Sequence, residues 1–250
     1  MAREVDTQAT QAVPPRAVDA AVVLRELSNR WRRAVSLEYR SQSVVNHAGE
    51  FRLNLRTHVY LRRPGFARLI FRAGTFPEAD RLRVSDGRQV FDRMFGRPGD
   101  TGRTIVSPLA GPGGITADLS HPLDEAGYSV SQFFSATPFM PSPSFGGISN
   151  GRADVTARRL KQSIPGLPGK NGEKSDVFEL VFRRGTSRDT LALDAISYCP
   201  LRLIRVGGHG GRVQEILRET FMDVRLDPIL PDALFRWSPQ DDAGYGEITT

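Results

Sequence analysis

The chain has 250 residues, 39% of them hydrophobic and 25% charged, with a formal charge of +6 and a pI near 10.0. That length buries a substantial core without metal or disulfides, and no apolar run approaches the ~20 residues of a membrane-spanning helix. Cys199 is the only cysteine, which excludes an internal disulfide, and three of the 34 basic residues are lysine, so the positive charge is almost wholly arginine.

Residues 1–15 are polar, end in Pro14-Pro15, and read as a flexible lead. The stretch "MAREVDTQATQAVPPRA" has no apolar core of the kind a signal peptide carries, so export is not visible in it. From Arg16 the pattern turns helical. Ala20, Leu24, Leu27 and Trp31 recur at spacings of four, three and four, one stripe of an amphipathic helix, with Glu26 placed to pair with Arg30.

Strands follow. "AVSLEYRSQSVVNH" (34–47) leads into "FRLNLRTHVYLRR", where Phe51, Leu53, Leu55, Val59 and Leu61 alternate with Arg52, Asn54, Arg56, His58 and Arg62. Side chains of a strand point to opposite faces in turn, so this is a ribbon with one oily and one charged side. Pro64-Gly65 turns it back into "FARLIFRA", and Asp86-Gly87 marks another hairpin in "DRLRVSDGRQVFDRMFG". Strands of this length in consecutive hairpins twist into a sheet with a concave side.

Residues 108–151 are rich in Pro, Gly and Ser yet carry Phe133, Phe134, Phe139, Met140 and Phe145. They read as loop with a short helix over Leu123–Ala136, and a loop of this length in one domain is a lid or binding element. Strands resume with "DVTARRLKQSI", "DVFELVFRR", "TLALDAIS", "LRLIRVGG" and "RVQEILRETFMDVRL", separated at "GLPGKNGEKS" and "GGHGG". Cys199, in the apolar "AISYCPLRLI", reads as a small core residue and not as a nucleophile.

No pattern supports catalysis or a cofactor. Gly169-Lys170 is followed by Asn171, not by the Ser or Thr of a phosphate loop, and no serine sits in a nucleophile elbow. His47, His58, His121 and His209 lie too far apart to form a local metal motif. The expectation is a protein without catalytic residues, metal or cofactor. Arginines and aromatics on the ribbon segregate to opposite faces, which disfavours nucleic acid. The scattered arginines read as a solvated sheet face, with an anionic membrane surface as the functional alternative.

Four segments stand in a recognisable order: "HVYLRRPGFARLIF", "RVSDGRQVFDRMFG", "LDAISYCPLRLIRV" and "FMDVRLDPILPDALFRWSPQDDA". Together with the leading helix, and over roughly residues 16–243, the chain resembles the LolA-like superfamily of lipoprotein carriers, lipid-transfer lipoproteins and an envelope-stress sensor domain. The resemblance implies one mainly β domain over 16–250, with a lid insertion at about 96–151. Its fold would be a curved, incomplete antiparallel β-barrel wrapping the helix. It further implies a periplasmic carrier of acyl chains or acylated lipoproteins. The alternative is an envelope regulator or scaffold of the same fold that acts through protein–protein contacts. On the carrier reading, Leu53, Leu55, Val59, Leu69 and Phe71 line the sheet, Phe133, Phe134, Phe139 and Phe145 line the lid, and Trp31 seats the helix.

Overall fold

A computed structural model describes residues 15–47, 51–74, 80–95, 103–109, 154–164, 174–184, 186–209 and 212–238. Chain order is β1 (Arg16–Val18), α1 (Ala20–Arg33), β2 (Ser36–His47), β3 (Phe51–Arg62), β4 (Phe66–Ala73), β5 (Arg81–Asp86), β6 (Gln89–Met94), β7 (Arg103–Pro108), β8 (Asp154–Gln162), β9 (Ser175–Arg184), β10 (Ser187–Asp194), β11 (Pro200–His209) and β12 (Arg212–Leu226). A single 3-10 turn, Asp232–Phe235, follows. The lid phenylalanines Phe133, Phe134, Phe139 and Phe145 and the helix expected at 123–136 lie outside the described residues. Within the span assigned to the insertion, Arg103–Pro108 is a strand of the sheet.

All twelve strands form one antiparallel sheet in the order β1-β8-β9-β10-β11-β12-β2-β3-β4-β5-β6-β7. Two meanders, β2–β7 and β8–β12, are joined where β12 pairs with β2. The sheet curves without closing, and β1 and β7 remain its edges. The two-sided ribbon is β3: its odd-numbered residues from Leu53 to Leu61 are buried and its even-numbered residues are exposed or half-buried. Buried side chains from β9 through β2 to β6 form one apolar cluster on the inner, concave side.

The helix begins later than the sequence pattern suggests. Arg16–Val18 instead pairs with the otherwise open edge of β8, and Asp19 then caps α1, its carboxylate accepting from the Ala21 amide at 2.8 Å. Val23, Leu27 and Trp31 form its fully buried stripe, while Ala20 and Leu24 are only partly buried. At its other end Arg63 donates to the Trp31 and Ala34 carbonyls, 3.1 Å each. A guanidinium there satisfies carbonyls left over at a helix C-terminus and complements its negative dipole end.

Turn chemistry sets the hairpins. Gly65 (φ 92°) and Gly87 (φ 85°) occupy the left-handed region that turns β3 into β4 and β5 into β6. Asp86 accepts from the Arg88 and Gln89 amides at 2.8 Å each. "TLALDAIS" stops being a strand at Asp194, because that carboxylate accepts from the Ile196 and Ser197 amides and the Ser197 hydroxyl. Cys199 is therefore a half-buried turn residue, not a strand residue, its thiol pushed up by burial.

The C-terminal segment braces the outer face. Arg62 donates to the Leu230 carbonyl at 3.0 Å, pairs with Asp232 at 2.7 Å, and lies over the rings of Phe66 and Phe235. Phe91 and Trp237 stack at 5.5 Å. The aromatic ending of the chain thus clamps β3–β6 from outside and leaves the concave side to other tasks.

Leu27→Ala is expected to lower unfolding free energy by about 2–5 kcal/mol. Val22→Ala, on the exposed side of the same helix, should stay within about 0.5 kcal/mol. Urea titration of both checks which stripe faces the sheet; similar losses would contradict this placement.

Candidate binding site on the concave face

Topology places α1 across only part of the concave face. It follows β1, which is paired with β8, and ends at β2, five strand positions from β8 in the sheet. Five spacings of ~4.8 Å make about 24 Å; a helix of 14 residues is about 21 Å long. The helix therefore acts as a strut over the β8–β12 half. The whole sheet, by the same spacing, is about 50 Å wide along its curve.

Five of the expected lining residues sit beyond the strut. Leu53, Leu55 and Val59 on β3 and Leu69 and Phe71 on β4 share the inner side, with Val59 directly opposite Leu69. All five are enclosed, at 0–4% exposure. Trp31 belongs to the same cluster and is equally buried. The structure thus brings these six together, while the four phenylalanines of the expected lid are outside the described residues.

A polar belt interrupts this wall at the junction of the two meanders. Thr57 on β3 pairs with Ser41 on β2, and Ser43 on β2 pairs with Glu219 on β12. All four side chains point inward with the apolar residues and are at most 3% exposed. Among the described residues, neither Glu219 carboxyl oxygen has a hydrogen-bond partner, nor do the hydroxyls of Ser41, Ser43 and Thr57. Burial pushes the Glu219 carboxyl up to about 8; the nearby Ser41 hydroxyl and Arg205 charge oppose the shift without closing a bond of ordinary geometry. Arg205, on β11, is itself engaged by Asp189 of β10 at 3.2 Å.

Further along the inner side, Arg81 and Arg83 on β5 converge on Asp92 of β6, at 3.5 and 2.9 Å. Desolvation lowers the pKa of Arg81 within a range where it stays charged.

Sequence reasoning missed the belt although its signal was present. Thr57 stands in phase with Leu55 and Val59, and Glu219 in phase with Leu217 and Phe221, so both are polar residues at inward positions. The charged side of the ribbon behaves as read. His58 lies there between Glu38 (3.4 Å) and Tyr60 (3.2 Å), and desolvation lowers its pKa.

No family model matches the chain, and no curated protein does. Solved structures resemble it in fold. It is similar to MucB, at 16% identity and TM-score 0.44, over 88% of this chain and 63% of that one. It is similar to the LolA superfamily protein NE2245 from Nitrosomonas europaea, at 13% identity and TM-score 0.36, over 88% and 99%. A third likeness is a putative outer membrane lipoprotein-sorting protein domain from Vibrio parahaemolyticus, at 11% identity and TM-score 0.32, over 86% and 97%. The structures it resembles therefore include members of the superfamily suggested by its motifs, and the chain spans less than two thirds of the MucB chain. At these identities and TM-scores the likeness concerns the path of the chain and not what it binds.

The buried carboxyl makes a signed prediction. Between the ordinary glutamate value of 4.5 and about 8, folded protein keeps a proton that the unfolded chain has lost. Unfolding free energy therefore falls as pH rises through this window, by a total on the order of 5 kcal/mol. Glu219→Gln should remove that fall, being more stable than wild type at pH 9 and comparable at pH 4. Denaturant titrations of both proteins across this range check it; equal stabilities at pH 9 would contradict the burial of an unpartnered carboxyl.

Proposed function

We propose that the protein is a non-enzymatic carrier that binds acyl chains, of a lipid or an acylated lipoprotein, against the β3–β4 half of its concave face in the bacterial periplasm. The observation that supports this reading is the mismatch between strut and wall. A helix of about 21 Å is shorter than the roughly 50 Å that the sheet measures along its curve, and Leu53, Leu55, Val59, Leu69 and Phe71 lie on β3 and β4, beyond the strand that the helix leads into. These residues are enclosed in the structure, so an entering chain takes the place of contacts that the protein makes with itself.

The driving force is desolvation, about 0.8 kcal/mol for each methylene removed from water. Such a site needs no reacting group and discriminates by length, not by shape. The outer face, held by the C-terminal segment and lined with paired arginines, stays available to an envelope protein or an anionic membrane surface.

Native mass spectrometry of purified protein followed by organic extraction is expected to recover fatty acid or phospholipid. Titration with saturated fatty acids of increasing length should tighten binding about tenfold for every two methylenes. Affinity independent of length, with lipid-free protein that instead captures an envelope partner, would favour a regulator and refute the carrier.

A further inference from the structure

The polar belt gives the acyl site a head end. We propose that Glu219, with the hydroxyls of Ser41, Ser43 and Thr57, forms a subsite for the ammonium head of a cationic or zwitterionic amphiphile. This rests on the carrier reading and narrows its ligand class.

Position is the first argument. Glu219, Ser43 and Ser41, and Thr57 occupy β12, β2 and β3, three adjacent strands. The subsite therefore spans two strand spacings, about 10 Å, and ends inside the apolar wall. Thr57 lies between Leu55 and Val59 on its own strand and faces Phe71 on β4. A head held at the belt would direct its chain along the residues assigned to the acyl group.

Unsatisfied bonding capacity is the second. Buried polar groups in proteins are nearly always hydrogen-bonded, yet the fully buried Glu219 carboxyl and the three hydroxyls have no partner at hydrogen-bond distance among the described residues. An ammonium group offers three donors and no acceptor, which suits a carboxylate that has the Ser43 hydroxyl opposite it on β2.

Charge is the third. Among the described residues, the charge acting on Glu219 is that of Arg205 on β11, which is paired in turn with Asp189 on β10. Asp189 offsets Arg205, so the group carries a net negative charge once Glu219 ionises. Burial holds Glu219 protonated near neutral pH while the site is empty; an arriving ammonium would favour the carboxylate, and the displaced proton would pass to solvent.

Dodecylammonium and dodecanoate, probes with the same chain and opposite heads, separate the subsite from the wall. Calorimetry below their micelle concentrations at pH 7 is expected to show wild type binding dodecylammonium at least tenfold more tightly. Repeating the titration in buffers of different ionisation enthalpy should show close to one proton released. Glu219→Gln should abolish the preference and the proton release. The Thr57→Val/Ser43→Ala double variant, which keeps Glu219, should weaken the preference about threefold or more and serves if the Gln variant does not fold. Equal binding of both probes by wild type, or a preference untouched by these substitutions, overturns the subsite and leaves the carrier standing. Failure of both probes to bind overturns both.

Discussion

Pairing of Arg212–Leu226 with Ser36–His47 is the constraint on which the remaining architecture depends. It joins two meanders, each folded from local hairpins, through residues about 170 positions apart in the chain. Asp227 secures this seam at its end: its carboxylate accepts from the Val35 amide at 2.6 Å and its own amide donates to the Ser36 carbonyl at 2.9 Å. Asp227 holds a positive φ of 58° to do so. Without the seam there would be two half-sheets, each with an open edge and an uncovered apolar face.

The seam also determines where the helix lies. With β1 fixed on β8 and β2 fixed beside β12, the intervening helix has no other course than across the C-terminal half. Arg63, in the hairpin after β3, then holds the helix end from the N-terminal half. One consequence is a division of labour on the concave face: a helix-covered half, a polar belt along the seam, and an apolar wall beyond. Burial of Glu219 in that belt works against stability as pH rises from 4.5 to about 8.

Much of this plan was legible in the sequence. The alternation of Leu53, Leu55, Val59 and Leu61 against arginines identified β3, and Gly65 and Gly87 identified two hairpins, because strand period and positive-φ turns are local properties. The helix start was misread at Arg16, since the edge of β8 that captures Arg16–Val18 is remote in sequence. The end of β10 was misread for a smaller reason: Asp194 turns the chain through side-chain bonds inside an apolar run. Of the candidate site, the wall was visible and the belt was not. Ser41 and Thr57 meet in the β2–β3 pair, but Glu219 joins them only when β12 meets β2, and no pattern within either strand announces that pairing.

The central claim is that a guest chain occupies the wall past the helix's end. Intermolecular nuclear Overhauser effects between a bound acyl chain and the protein's methyl groups test it most directly. The account predicts contacts from the chain to the methyls of Leu55, Val59 and Leu69. Contacts confined to outward-facing residues such as Val106 or Ile196, or none at all with ligand saturating, would contradict it.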